Sequence, residues 1–295
     1  MADRSFSGSI VALVTPWRDG RLDETATANL IERQLAAGTH GIVLGGTTGE
    51  SPTLEPEEFA RLLVLAREIV RGRIPLIAGT GTNCTHHSVA KTRRAAELGA
   101  DAALVVTPYY NKPTPAGLVA HYAEVAREGG LPVIAYSVPG RTGVRPDLAT
   151  WLQICRLPGV VGLKEASDDL TLAAELAAAV GDECSLLSGE DGSSLAFWAM
   201  GGQGTISVTA NVDPWRCREA WERFAQGDLP GARRVHHLLL PLHRALFWET
   251  NPGPVKWALH QLGLCSGEVR LPLSPLAERH REPLAEVLRG LDLQS

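Results

Sequence analysis

Along the chain, short apolar runs alternate with longer stretches in which apolar residues recur every three or four positions. Short runs bounded by Gly, Pro or Asp have the form of buried parallel strands, and the periodic stretches that of amphipathic helices. The pattern predicts strands over 9–14, 41–44, 75–78, 102–106, 132–136, 159–166, 184–187 and 204–208. Between them it predicts helices over 25–37, 56–70, 85–98, 115–128, 146–154, 169–179 and 193–200. Pro56 suits the first turn of its helix, where a missing N–H costs nothing. Strand–helix alternation argues for an α/β protein with a parallel sheet, and eight strands are the number that closes a (β/α)8 barrel of the TIM type. An open doubly wound sheet is the alternative, but no G-x-G-x-x-G follows the first strand. After Asn211 the strand-like runs stop, and helices are expected over 215–225, 232–247, 255–262 and 275–288. The expected organisation is a barrel over residues 1–225 and a C-terminal helical domain over 226–295.

The sixth strand breaks the apolar rule. Gly159-Val160-Val161-Gly162-Leu163 runs into Lys164-Glu165-Ala166. Lysine is almost never fully buried without a reason. Desolvation disfavours an ammonium, and a neutral amine at a strand end is a nucleophile for a carbonyl carbon, the first step to a Schiff base. Two structural readings stand beside that one: Lys164 reaches out of the strand to solvent, or it pairs with Glu165.

In a barrel the C-terminal ends of all strands share one mouth. The second strand delivers Gly45-Gly46-Thr47-Thr48-Gly49-Glu50, whose backbone N–H groups and hydroxyls suit a carboxylate, or which is an ordinary glycine-rich turn. The fourth delivers Thr107-Pro108-Tyr109-Tyr110-Asn111, where tyrosines also serve packing or an interface. The fifth delivers Tyr136, a candidate general acid/base, and then Arg141, whose fork fits a carboxylate or a surface ion pair. The seventh and eighth give Ser188-Gly189-Glu190-Asp191 and Ser207-Val208-Thr209.

Composition narrows the classes. The 295 residues carry a net charge of -5, with Lys and Arg dispersed, so no nucleic-acid face is expected. No apolar run approaches the ~18 residues of a spanning helix and no basic-then-apolar leader opens the sequence, so a cytoplasmic protein that does not engage a membrane is expected. Five dispersed cysteines without C-x-x-C argue against a disulfide framework or zinc site. No H-x-H or H-E-x-x-H occurs among nine histidines, and no G-x-S-x-G elbow is present, so neither a metal nor a serine triad is expected.

Read together, Gly46-Thr47-Thr48-Gly49-Glu50-Ser51, Tyr109-Tyr110-Asn111-Lys112-Pro113, Tyr136 with Pro139-Gly140-Arg141-Thr142-Gly143, Gly162-Leu163-Lys164-Glu165-Ala166, Ile206-Ser207-Val208-Thr209-Ala210-Asn211 and Asn251-Pro252-Gly253-Pro254-Val255-Lys256-Trp257 resemble the dihydrodipicolinate synthase family. The resemblance spans essentially the whole chain. It also extends to N-acetylneuraminate lyase and other class I 2-keto-acid aldolases of the same superfamily. It implies condensation of pyruvate with aspartate 4-semialdehyde in lysine biosynthesis, without cofactor or metal. Lys164 matches the Schiff-base lysine, Tyr136 the proton-transfer tyrosine, and Thr48 and Tyr110 its relay partners, with Tyr110 reached from a neighbouring subunit. Thr47 and Thr48 match the residues for the pyruvate carboxylate, Arg141 that for the semialdehyde carboxylate, and Ile206 a residue whose carbonyl lies near the lysine. A homotetramer built from tight dimers is implied. A related aldolase using another aldehyde is the alternative, and a silent pyruvate-binding paralogue a further one.

Ser51, Asn83 and Tyr109 match a regulatory site at which lysine inhibits some relatives. Pro56, Phe59 and His87 stand where sensitive enzymes often carry histidine or glutamate. Proline and phenylalanine offer no side-chain group to a lysine ligand, so weak or absent feedback inhibition is expected.

Overall fold

The structure is a computed structural model and describes residues 6–293. Eight parallel strands close a barrel, each hydrogen-bonded to its neighbours in chain order. They are β1 (Gly8–Ala12), β2 (Gly41–Leu44), β3 (Leu76–Gly79), β4 (Ala102–Val106), β5 (Val133–Ser137), β6 (Val160–Glu165), β7 (Ser185–Ser188) and β8 (Gly204–Ser207). The barrel helices are α1 (Glu24–Ala37), α2 (Pro56–Val70), α3 (Thr85–Glu97), α4 (Pro115–Glu128), α5 (Leu148–Cys155), α6 (Leu170–Val180) and α7 (Ser194–Ala199). Beyond β8 come α8 (Pro214–Ala225), α9 (Leu229–Ala245), α10 (Gly253–Gln261) and α11 (Glu278–Gly290). The strands are buried along almost their whole length, which is why they read as continuous apolar runs.

Local chemistry fixes the helix ends. Asp23, Thr114, Asp147, Asp169, Asp213 and Asp228 each accept a backbone N–H from the first turn of α1, α4, α5, α6, α8 and α9. Pro56 and Pro115 open α2 and α4 at the first helical position. At α1 the chain leaves through Gly38, held at φ +73°.

Contacts divide the chain into two compact units. One comprises residues 75–206 and the segment up to Gly8; the other joins 9–74 to 207–295. In the first, β3 to β7 pair in sequence, and the β5–β6 register sets Tyr136 opposite Lys164. In the second, β1 lies beside β2 with Ile10 opposite Gly41, and α8 and α9 pack against each other.

Several boundaries differ from the pattern. The strands expected from Pro75 and Pro132 begin one residue later, because proline has no N–H for the ladder. A small antiparallel ribbon, Trp17–Arg18 with Arg21–Leu22, was not expected; it turns through Asp19 and Gly20, both at positive φ. A four-residue helix, Pro139–Thr142, follows β5. The helices expected from Ala232 and Pro275 begin instead at Leu229, behind the Asp228 cap, and at Glu278.

Candidate active site

Lys164 ends the apolar part of β6 and is 5% exposed. Its Nζ lies over the Tyr136 ring, 4.4 Å from the centroid. The register places the two residues side by side on neighbouring strands, so their side chains share one face of the sheet. Glu165, the next residue, points to the opposite face. Its carboxylate accepts the Ser167 N–H, at 3.0 Å to each oxygen. Both structural readings of Lys164 therefore fail: it does not reach solvent, and Glu165 is engaged elsewhere. Burial pushes the Glu165 carboxyl above its usual range.

The strand end of β7 shapes the space around the amine. A Cβ on Gly189 would stand 2.9 Å from Lys164 Cε and 2.5 Å from Ala166 Cβ. Only glycine leaves the lysine its channel. Beyond it, Glu190 feels Lys164 as an attractive charge, while burial, foremost, and Asp191 push its carboxyl upward. The Tyr136 backbone is held by Thr107, whose N–H and hydroxyl both donate to the Tyr136 carbonyl at 2.9 Å.

The remaining predicted residues of this unit differ widely in exposure. Arg141 sits exposed on the helical turn after β5, and Ile206 is fully buried in β8. Tyr110 is 88% exposed at φ +72°, a backbone state costly for a non-glycine residue. Tyr109 is less than half as exposed, and Asn111 ties this loop to the Asn83 carbonyl at 2.7 Å.

In the other unit, β2 runs into the Thr47–Thr48 turn. Gly45 is at φ +61°, and a Cβ there would strike the Phe59 ring at 2.9 Å. Thr48 is buried, and its Oγ1 accepts a hydrogen bond from Asn251 Nδ2 at 3.0 Å. Thr47 is partly exposed beside it. Glu50 closes the turn at φ +56° and is itself buried. Its carboxylate accepts from Lys256 Nζ, from Trp17 Nε1 at 2.9 Å and from the Arg270 N–H at 2.9 Å. Lys256, fully buried, also donates to the Glu268 carbonyl at 2.7 Å. Burial pushes the Lys256 ammonium down and Glu50 pulls it back. Arg270 lies over the Trp17 ring at 3.6 Å and clasps Glu58 with two bonds of 2.6 Å.

The structure thus brings Lys164 together with Tyr136 in one unit, and Thr48 together with Asn251 in the other. Sequence reasoning passed over Gly189, Asn251, Glu50 and Lys256 as individuals. Their signal was present: Ser188-Gly189-Glu190 ends a strand, and Asn251 to Lys256 stood among the family-like motifs without a role.

Known proteins resemble this chain over nearly its whole length. The Dihydrodipicolinate synthetase family model matches residues 5–291. The 4-hydroxy-tetrahydrodipicolinate synthase of Rhodospirillum centenum is 49% identical over 283 residues, 96% of this chain and 97% of that protein. The crystal structure of the dihydrodipicolinate synthase from Acinetobacter baumannii complexed with pyruvate superimposes with a TM-score of 0.96 at 42% identity, covering 98% and 99% of the two chains. That of the enzyme from Cyanidioschyzon merolae with lysine bound gives 0.94 at 34% identity, covering 98% and 99%. With the family match spanning nearly its full length, the chain belongs to the dihydrodipicolinate synthetase family.

Proposed function

We propose that this enzyme condenses pyruvate with aspartate 4-semialdehyde to 4-hydroxy-tetrahydrodipicolinate, in lysine and diaminopimelate biosynthesis. The observation that carries the reading is Lys164: an amine sealed at a barrel strand end, against a tyrosine ring, with Gly189 keeping its path open.

The Lys164 amine attacks the pyruvate ketone and water leaves, giving an iminium. The iminium is its own electron sink, so a methyl proton can depart to give the enamine without cofactor or metal. The enamine carbon attacks the aldehyde, whose oxygen takes up a proton. The amino group of the former semialdehyde then adds to the imine carbon, closes the ring and expels Lys164. Tyr136 passes protons in these steps, relayed by Thr48 and by Tyr110 from a neighbouring subunit. Thr47 and Thr48 hold the pyruvate carboxylate, Arg141 the semialdehyde carboxylate, and the Ile206 carbonyl lies beside the amine. Ser51, Asn83 and Tyr109 form a remnant of a regulatory site. The exposed, strained Tyr110 supports a partner at that loop, and with it the homotetramer of tight dimers. Among the described residues no helix is long and apolar enough to cross a membrane.

A borohydride trap tests the reading. With pyruvate, the trapped mass should map to the peptide holding Lys164 and vanish in Lys164→Ala. Arg141→Ala should retain the adduct but lose turnover with the semialdehyde. Turnover with a sugar-acid substrate but none with aspartate 4-semialdehyde would instead mark an aldolase of the same superfamily.

A further inference from the structure

We propose that Asn251 is a positioning residue that sets the direction of the Thr48 hydroxyl, holding it as a proton donor toward the reacting groups; this rests on the reading of Thr48 as a relay residue. Both side chains are buried, Thr48 at 3% and Asn251 at 5% exposure. The Asn251 amide nitrogen lies 3.0 Å from Thr48 Oγ1. An amide nitrogen donates and cannot accept, whereas a hydroxyl has one proton and two lone pairs. With one lone pair taken by Asn251, the Thr48 proton must point elsewhere. The second lone pair stays open to receive a proton as the first is given away. A relay needs that polarity. An unconstrained hydroxyl has no reason to keep it.

The grip is built from two rungs in the same order. Asn251 holds Thr48, and Lys256, on the next turn of the same segment, holds Glu50. Between them, Pro252 and Pro254 stiffen the entry to α10, so the amide is placed by a rigid segment. Lys256 itself is anchored at its other side by the Glu268 carbonyl. The loop is thereby registered at both its threonine and its glutamate.

The test is a double-mutant cycle. Asn251→Asp keeps the shape and exchanges a donor for an acceptor, which draws the Thr48 proton toward itself. We expect kcat to fall about 10- to 100-fold, within the range of a general acid–base contribution, while KM for pyruvate moves less than about threefold. The final extent of borohydride-trapped adduct at Lys164 should be unchanged, its rate of formation slower. In a Thr48→Val background, where no hydroxyl remains to orient, the same substitution should change kcat by less than about twofold. If Asn251→Asp does not fold, Asn251→Ala, which withdraws the donor, goes through the same cycle. Additive losses in the two backgrounds, an effect on KM alone, or an unchanged kcat overturns the role of Asn251. Absence of the Lys164 adduct in the unaltered enzyme overturns the functional reading itself and the proposal with it.

Discussion

A methyl group at position 189 would occupy the channel through which the Lys164 side chain runs. Forcing it in displaces the amine from Tyr136, and a misplacement of about 1 Å is worth on the order of 100-fold in rate. Gly189→Ala should therefore cut kcat/KM by roughly that factor, with a stability loss of about 1–3 kcal/mol from overpacking. Steady-state kinetics and urea titration read the two effects, and wild-type kinetics in the variant would refute the channel. Phe59 gives a second prediction at this scale. Its ring is 2% exposed and lies against Gly45, so it is committed to the interior. L-lysine should give no half-inhibition below about 1 mM, an affinity of about 4 kcal/mol, and a titration of activity with lysine decides it. Lys164 and Tyr136 were legible in the sequence because each is a polar residue closing an apolar strand. Gly189 was not, since a glycine in a strand–helix turn looks like every other such glycine until the neighbouring side chains are placed.

At the scale of elements, the β2–α2 turn is bound to the C-terminal helices by charge. Glu50 and Lys256 are both fully removed from solvent, and Glu50 has Trp17 and the Arg270 backbone as further donors. Breaking such a pair from one side strands a charge, at about 3–5 kcal/mol. Lys256→Met should lose that much in urea titration, and Lys256→Met with Glu50→Gln should recover a measurable part of it. Equal stability of the single variant and the parent would exclude the ion pair as a structural lock. At α2 and α4 a proline at the first helical position made the start readable to the residue, whereas Pro146 and Pro275 stand two and three residues ahead of α5 and α11. The ribbon at 17–22 escaped notice because two-residue strands carry no periodicity, although its Asp-Gly turn was in plain view. The start of α9 escaped because Leu229 and Pro230 read as a linker until the Asp228 carboxylate is seen capping Gly231.

Across the whole molecule, one buried imidazole makes a distinct contribution to acid sensitivity. His121 on α4 is 4% exposed, with Nδ1 2.9 Å from Thr85 Oγ1 on α3. Burial pushes it down to about 4 from an ordinary 6.5. Its folded value lies below its unfolded one, so between these pH values the unfolded chain binds more protons. The contribution is present above pH 6.5 and is lost as pH falls toward 4, amounting to about 3 kcal/mol. His121→Gln should flatten the fall in unfolding free energy over that window, measured at pH 7, 5.5 and 4.5. Glu165 and Glu190, raised by burial, act in the opposite sense in both proteins and cancel from the comparison. Parallel curves would remove His121 from the account. Closure of the barrel was legible from the count of strands alone. The division at 74/75 and 206/207 was not, because no change in composition marks either seam and one unit is assembled from the two ends of the chain.

That assembly has a consequence in time. The bonds from Asn251 to Thr48 and from Lys256 to Glu50 span 203 and 206 residues. Most long-range contacts must wait for loop closure, and contacts of such separation slow folding. During synthesis, Thr48 emerges early and stays ungripped until the last sixth of the chain has left the ribosome. A chain released before Asn251 contains Lys164, Tyr136, Arg141 and both threonines, and has the Trp17–Glu50 and Thr15–Gly49 bonds of that turn, but not those from Asn251 and Lys256. Lys164 and its barrel neighbours are written in mid-chain, while the longest-range fastening of the threonine turn is deferred to the end, so an incompletely made copy lacks the Asn251 and Lys256 bonds that the full sequence has.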